Sequence, residues 1–475
     1  MSGGGRFNGV MSGSRVERPG AYIDFTNVAV PQMFIGERGT SCGLIESTWF
    51  EPNKVEHFSG MDLLTGRALR NVGVTAFDDH KSVKHLSLLL SACVDTRVMS
   101  ANTGGAKAKA EIELTGGNLV VEAQKYGTFG NDLFISITKT PGGQFTVHTH
   151  IKGHEAVNKP RMNQTITELS ELHNNDFVKF TFDPDADIEL IEIAGVALEG
   201  GEDGTVNLAT RIPAFLKRIK NYTWQCMGWQ WPDETHKALV AQFVQRMRDE
   251  NGLYVQVSMA TEANFNHEAV NEIKREHGTA INHITGEVFT IDEIALMHAS
   301  MTAGASFVQD NTNSPLPIQL EFEVEFENQE IIDGLQNGKT MFTRRRDGTL
   351  KIEADNNGLH MFTPEKGEAF SNNQILRILD EIGTTVRTTW ENFFMGNMRN
   401  DEFGRELYRA DLDGYFTRMQ DMGALQNHSV DRILTAQGNR ATDVVVNLTV
   451  QPVGMMRRLF MTVNVSTGVY TVAAA

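Results

Sequence analysis

Between a small polar segment, Ala101 to Ala110 (ANTGGAKAKA), and a glycine cluster, Gly200-Gly201-Glu202-Asp203-Gly204, the sequence reads as strands alone. On both sides of that block, helices alternate with short apolar strands. A change of pattern that is made and then reversed constrains the fold more than any other feature of this chain. Inside the block, Leu119–Val121 and Leu133–Thr138 lead to the turn Pro141-Gly142-Gly143-Gln144, and Phe145–Ile151 then alternates apolar and polar residues. Phe177–Phe182 and Ile188–Ile193 carry the pattern to about Leu198. Short strands with glycine-rich turns at this spacing predict a small β-sandwich. Ahead of it, Val28–Val30, Cys42–Ile45 and Val72–Phe77 are short apolar runs, and Lys84 to Cys93 is apolar enough for a buried helix. Behind it, a helix Pro213–Ile219, with proline at a first helical position, precedes the apolar run Thr223–Trp229. A helix Asp233–Arg248 then precedes a strand Leu253–Ser258. Such alternation implies a largely parallel sheet with helices on its faces. The sandwich is therefore an insertion into an α/β domain whose two halves flank it.

Both chain ends read as strands. Residues 1–18 lack apolar periodicity and are expected to form a mobile arm; after Arg18-Pro19-Gly20, Ala21, Ile23 and Phe25 share one face of an extended segment. Two readings stand for it: a strand offered to another sheet edge, or the first strand of the chain's own core. In the last third, Ser371 and Gln374 fit the N-cap and N3 positions of a capping box. Ile375, Leu379, Ile382, Val386, Trp390 and Phe393 follow at steps of three or four, as in an amphipathic helix. Gly383 inside it costs about 1 kcal/mol of propensity and allows close packing or a bend. A second helix is expected from Asp401 to Met422, with Gly423 as its C′ residue. Two strands close the chain: Val444, Val446, Leu448 and Val450 share a face of the first, and Leu459, Met461, Val463 and Val465 a face of the second, with Pro452-Val453-Gly454 between them.

At 475 residues the chain is long enough for about three domains. Its net charge of −17 opposes non-specific nucleic-acid binding, which needs local Lys and Arg to displace counterions. The one compact basic run, Arg344-Arg345-Arg346, runs into Asp347-Gly348 and reads as a hairpin tip. No membrane span is expected, since apolar stretches such as Leu86 to Val94 are short and interrupted. The glycine-rich start, Met1 to Val10, has no apolar core of a secretory signal. Cys42, Cys93 and Cys226 are widely spaced and odd in number, which points to a reducing compartment and to neither a disulfide framework nor a zinc ribbon.

The motifs that suggest chemistry each have a plainer reading. Gly334-Leu335-Gln336-Asn337-Gly338-Lys339-Thr340 has three residues between its glycines where a phosphate loop needs four, and a strand-like run, Met341-Phe342-Thr343, follows it. It reads as a polar turn. His148 and His150 share a strand face opposite Phe145, Val147 and Ile151, with His154 nearby. No carboxylate or cysteine at ligand spacing joins them, so they read as solvent-facing. Glu321, Glu323 and Glu325 alternate with Phe322, Val324 and Phe326, which describes a strand with one wet face. No Gly-x-Ser-x-Gly elbow occurs; Gly304-Ala305-Ser306-Phe307-Val308 lacks the second glycine. No catalytic, cofactor-binding or metal-binding residue is assigned.

Several segments, in order along nearly the whole chain, resemble the tail sheath family of contractile phages and phage-derived bacteriocin particles. Arg18-Pro19-Gly20-Ala21-Tyr22-Ile23-Asp24-Phe25 is similar to the family's N-terminal entry. Lys125-Tyr126-Gly127-Thr128-Phe129-Gly130-Asn131-Asp132-Leu133 is similar to the signature of its inserted sandwich, and Gly201-Glu202-Asp203-Gly204 to the re-entry into the α/β domain. Ala303-Gly304-Ala305 lies where the family carries a small-residue helix segment; Asn373 to Phe394 and Val444 to Val465 resemble its C-terminal domain. Arg344-Arg345-Arg346 and the acidic strand at 321–328 depart from the commoner pattern. The resemblance implies a multidomain α/β and α+β fold. Its divisions are an N-terminal arm 1–27, an α/β domain 28–105 and 200–358 related in fold to subtilisin but lacking its catalytic machinery, a sandwich 106–199, a C-terminal domain 359–455 and an arm 456–475. It further implies that Tyr22, Ile23, Asp24 and Phe25, together with Leu459, Met461, Val463 and Val465, are donated to the C-terminal domain of another copy, at Val446, Leu448 and Val450, by β-augmentation. The partners so implied are other sheath subunits, a tail tube protein, a baseplate and a tail terminator, with no nucleic acid and no membrane insertion. The place implied is a virion or particle tail assembled in the bacterial cytoplasm. Competing readings are an α/β hydrolase, or a tube or baseplate protein of the same particle.

Overall fold

The apolar runs on either side of the inserted block meet in one seven-stranded sheet. The computed structural model describes residues 38–60, 81–153, 161–282, 284–463 and 465. The segment Tyr22–Phe25, the runs Val28–Val30 and Val72–Phe77, and His154 lie outside the described residues. Sheet order is 339–340, 270–274, 256–261, 226–229, 40–45, 95–100 and 55–59, parallel except for the antiparallel edge strand Val55–Ser59. The described helices are α1 (Lys81–Leu89), α2 (Leu208–Ile219), α3 (Glu234–Asp249), α4 (Ile291–Gly304), α5 (Asn328–Gln336), α6 (Asn373–Thr389) and α7 (Glu402–Asp421).

Alternate residues of each strand enter different cores, because both faces of a parallel sheet are covered. Cys42, Leu44, Met227, Trp229, Val257 and Met259 pack with Ile212 and Phe215 of α2 and Val240 and Val244 of α3. Cys226, Ala260 and Ile273 face the other way, with Leu86 and Leu89 of α1 and Ile294, Leu296 and Ala295 of α4. A Cβ on Gly228 would lie 2.9 Å from the Leu296 Cα, so glycine lets α4 approach this closely. Thr290 caps α4 through a capping box with Glu293.

The inserted block forms two antiparallel sheets. Three strands have the order 178–181, 117–123, 109–114, and four have the order 193–197, 133–139, 145–151, 163–166. Ile112, Leu119, Val121, Ile135, Ile137 and Val147 fill the space between them. The neck is a two-stranded ribbon, Asn102–Thr103 against Thr205–Val206. Two sequence signatures meet just beyond it. The Asn131 amide accepts from the Gly201 N–H at 2.7 Å and donates to the Gly201 carbonyl at 3.0 Å, and the Asp203 carboxylate accepts from the Thr128 N–H at 2.7 Å. Both strands that leave and re-enter the α/β domain are thus tied at the point of insertion.

Three local expectations change. Helix α2 begins at Leu208, capped by Asn207, whose side chain accepts from the Thr210 N–H; Pro213 lies in its second turn rather than at its start. The cap of α6 is Asn372, whose side chain accepts from the Gln374 N–H, one residue after the expected Ser371. The closing strand Val444–Leu448 pairs with Ile433–Gln437, a strand with no expectation attached to it, and residues 453–463 form no helix or strand. The arginine run does form a hairpin tip, with Phe342–Arg344 pairing Leu350–Ile352. Arg344 reaches Glu321 at 2.6 Å and Glu325 at 3.0 Å, so the two departures from the family pattern face one another as ion pairs.

Two buried histidines give the core a pH dependence. His298 on α4 is held neutral, pushed down to about 4 by burial, with Asp355 and Arg377 acting in opposite directions; Ser258 is hydrogen-bonded to its Nδ1 at 2.9 Å. Burial lowers His277 to about 3, and the Lys274 charge adds to that. Both values lie below the ordinary 6.5. The unfolded chain therefore binds more protons, and stability present above pH 6.5 is lost as pH falls toward 3. The His298 contribution is on the order of 3 kcal/mol. Calorimetry from pH 7 to 4 is expected to show a falling Tm with a shallower slope in His298→Gln; parallel slopes would contradict this.

Candidate functional site

Clusters that look chemical are closed. Ser258 and His298 touch, but both are fully buried, and no substrate can reach them. Among the described residues, Asp249, His267 and Glu268 could bring three ligand atoms together. His267 Nε2 already faces Asp249 at 2.9 Å, its Nδ1 accepts from the Ala269 N–H at 3.0 Å, and Lys366 and Arg248 neutralise Glu268 at 2.7 and 3.4 Å. His148 and His150 hydrogen-bond Thr138 and Ser136 across the strand at 2.9 and 2.8 Å.

The unusual part of the molecule is the C-terminal domain and the way it is joined to the sheet. Helix α6 carries the expected apolar stripe, yet Ile375, Leu379, Ile382, Val386 and Trp390 are only half-buried and Phe393 is exposed. Its polar face is the more deeply buried one: Asn373, Arg377 and Asp380 step by four and three, and all are sealed against the α/β domain. The Arg377 guanidinium donates to Asp355 and to the Gln309 carbonyl, both at 2.6 Å. Arg248 of α3 donates to both oxygens of Asp380. Asn373 accepts from Gln256 at 2.9 Å and donates toward Asn271 and Asp355. Burial alone would raise Asp355, but the Arg377 charge holds it below the usual carboxylate range. Burial likewise works against the charge on Arg248, and Asp380 more than offsets it. Further along, Gly383 allows contact with Tyr254: a Cβ there would sit 2.3 Å from its ring. Close packing is therefore the role of this mid-helix glycine. Arg387 adds hydrogen bonds to the carbonyls of Asn251 and Gly252.

On the far side of the same domain lies the hairpin Ile433–Gln437/Val444–Leu448, a sheet of two strands only. Val446 and Leu448 point inward with Val450, packing on the core of α6 and α7 that includes Tyr408, Leu412 and Phe416; Leu434 and Val445 are exposed on the outer face. Each strand has one neighbour, so among the described residues both outer edges of the ribbon lack a partner strand. A lone two-stranded ribbon is marginal and leans on what it packs against.

After the ribbon the chain is pinned twice more. The Val453 N–H donates to the Ala424 carbonyl at 2.9 Å, and Gln374 donates to the Val453 carbonyl at 2.9 Å. Arg457 then spreads its guanidinium over Asp310 (2.7 Å), the Asp355 carbonyl (2.9 Å) and the side chain of the cap Asn372 (2.8 Å). Among the described residues beyond that clamp the apolar side chains are exposed: Leu459 is 85% exposed, Phe460 90%, Met461 73%, Val463 68% and Val465 86%. Of the residues singled out from sequence, Val446, Leu448 and Val450 come together on one layer. Leu459, Met461, Val463 and Val465 stand apart from them, and Tyr22, Ile23, Asp24 and Phe25 lie outside the described residues. Sequence reasoning did not find Arg377, Asp380 and Arg457. The signal available was a polar row at steps of three and four on the second face of an already amphipathic helix.

Comparisons with known proteins agree with this architecture. Family models for the phage tail sheath protein match in succession: the beta-sandwich domain at residues 103–203, the central domain at 207–357 and the C-terminal domain at 365–466. The phage-like element PBSX protein XkdK of Bacillus subtilis (strain 168) is 26% identical over 491 residues, covering 98% of this chain and 100% of that protein. The crystal structure of a sheath tail protein from Desulfitobacterium hafniense is 25% identical, with a TM-score of 0.73 over 91% of this chain and 96% of that one. The helical sheath of the anti-feeding prophage in its contracted state shares the fold at 10% identity, TM-score 0.54, over 96% of this chain and 100% of that one.

The buried ion pairs make a direct prediction. Arg377→Met leaves Asp355 buried without its paired cation, and is expected to lose about 3–5 kcal/mol in urea unfolding. Adding Asp355→Asn is expected to recover a substantial part, because the stranded charge is gone. A loss below about 1 kcal/mol in the single variant would contradict the pairing.

Proposed function

The chain belongs to the phage tail sheath family and is a subunit of a contractile tail sheath; from that premise we propose how one subunit is tied to the next and how the assembly does work. The arms are strands for other copies. Residues 22–25 at one end and 459–465 at the other pair along the two open edges of the 433–448 ribbon in neighbouring subunits. The observation that carries this reading is the coexistence, among the described residues of one subunit, of a two-stranded sheet with unpartnered edges and an exposed apolar segment. Each supplies what the other lacks: main-chain hydrogen bonds fix the connection, and Leu459, Met461, Val463 and Val465 fix the register by facing the same layer as Val446, Leu448 and Val450.

A head-to-tail contact that does not close on itself generates a helical filament. The sheath wraps a tail tube and is bounded by a baseplate and a terminator. Because the links are strands on arms, subunits rotate and slide past one another without separating. The extended lattice is metastable, and repacking of the α/β domains releases roughly a few kcal/mol per subunit, multiplied over on the order of a hundred copies. Contraction then drives the tube through the host envelope with no fuel consumed during the stroke. On this reading the subunit has no catalytic role, is assembled in the bacterial cytoplasm, and divides into arm, α/β domain, inserted sandwich, C-terminal domain and arm as set out from the sequence.

Removing residues 2–26, or introducing Leu459→Asp with Met461→Asp, is expected to leave a soluble subunit with unchanged Tm that no longer forms cylinders in negative-stain micrographs. Striated sheaths from either variant would contradict the role of that arm.

A further inference from the structure

The ribbon ends in a cleft. At the Val444 end a hollow of about 230 Å³ opens, bounded by Trp390, Phe394, Met395, Met398, Tyr408 and Val444. Its walls are held from inside the domain. The Trp390 and Phe394 rings lie parallel with centroids 6.1 Å apart, and Tyr408 meets them edge-on at 5.2 and 4.7 Å. Its rim is held as well. Asn400 donates to the Ala441 and Asp443 carbonyls, both at 2.8 Å, and Arg405 donates to the Asn400 carbonyl and side chain at 3.1 and 3.0 Å. The loop after the rings is thereby fastened to the hairpin turn. A hollow walled by packed aromatic rings keeps its shape when empty, which is the condition for seating an apolar side chain without a cost in reorganisation.

Its position says what fills it. Val444 is both a wall of the cleft and the first residue of the strand whose outer edge is open. It shares the inward face with Val446 and Leu448, so a strand laid along that edge and running past Val444 brings its own inward-facing side chains over the mouth. The chain carries one described segment with such a row and nothing covering it, the exposed arm beyond Arg457. Eight residues from Arg458 to Val465 reach about 26 Å when extended. Intramolecular filling would require the arm to leave the side of the domain where Arg457 is clamped to Asp310 and Asn372.

We propose that this cleft is the anchor socket for the arm of a second copy of this chain, receiving one apolar side chain from the row Leu459, Met461, Val463 and Val465. The inference rests on strand exchange and deepens it. Backbone pairing alone tolerates a slip of two residues, because such a slip keeps the same side chains facing inward. A socket at one end of the ribbon removes that freedom, so it sets where along the ribbon the arm stops.

Cysteine pairing tests this on the assembled particle, since native Cys42, Cys93 and Cys226 are all buried. Met398→Cys at the socket, or Val446→Cys on the inward face of the ribbon, is combined in turn with cysteine at 459, 461, 463 and 465. Full-length sheaths are assembled under reducing conditions and then oxidised. A socket position that blocks assembly is replaced by Thr442→Cys at the same rim. The expected result is conversion of most of the monomer band into a ladder of covalent multimers from Met398→Cys with one arm position, at least tenfold above the other three. A ladder from Val446→Cys without one from either socket position would overturn the socket and leave strand exchange standing. Intact sheaths with no ladder from any pair would overturn both.

Discussion

Two arginine–carboxylate pairs on one helix decide what kind of object this subunit is. Helix α6 belongs by its apolar stripe to the C-terminal domain, yet its buried side chains include Arg377 and Asp380, paired with Asp355 and Arg248 of the α/β domain. Breaking a buried pair costs more than the pair contributes over an apolar substitute. Such contacts therefore serve less to add stability than to forbid alternatives: if the domains slid across one another, two or more charges would be left uncompensated in a dry interface. Tyr254 seated against Gly383 and the Arg387 hydrogen bonds extend the same joint along the helix. The central sheet and the C-terminal layer behave as one body, and motion in a lattice of such bodies has to occur between subunits.

That joint gives meaning to the exposed arm beyond it. Arg457 binds Asp310, the Asp355 carbonyl and the cap of α6, so the arm leaves the body at the joint itself. A pull on the arm is delivered to the residues that hold the two domains together, not to the thin ribbon at the other side of the C-terminal domain. The ribbon in turn is narrow, since its two strands, about 10 Å across, lie on a core that two helices build. Val446, Leu448 and Val450 remain half-buried there for want of neighbours. Adding strands at both edges would complete the layer and cover the apolar arm in the same step. The inserted sandwich takes no part in this joint. Its neck is tied separately, by Asn131 to Gly201 and by Asp203 to Thr128.

Much of this was readable from the chain alone, and the failures have physical causes. The insertion was legible because a switch from alternating helices and strands to strands alone, and back, is hard to produce in any way but by placing one domain inside another. Helices α3 and α6 followed from the sequence pattern, and of the two roles left open for Gly383, close packing or a bend, the structure shows close packing. The start of α2 was misjudged because proline is tolerated beyond the first turn when Asn207 supplies the cap. The strand Ile433–Gln437 went unseen because only Ile433 of its five residues is buried, so it shows no alternation. The joint was invisible for a deeper reason. Polar residues on the second face of an amphipathic helix normally point to water, and only a partner more than a hundred residues away, such as Arg248 for Asp380, shows that they do not.

The central claim is that a single copy is an incomplete sheet layer whose missing strands belong to its neighbours. A cryo-microscopy reconstruction of the assembled sheath, at a resolution that separates strands, measures this directly. The account predicts that continuous main-chain density from other copies flanks Val444–Leu448 and Ile433–Gln437, making a layer of four strands in which residues 459–465 run beside the ribbon. Density showing the ribbon bare at both edges, with residues 459–465 folded back on their own subunit, would contradict it.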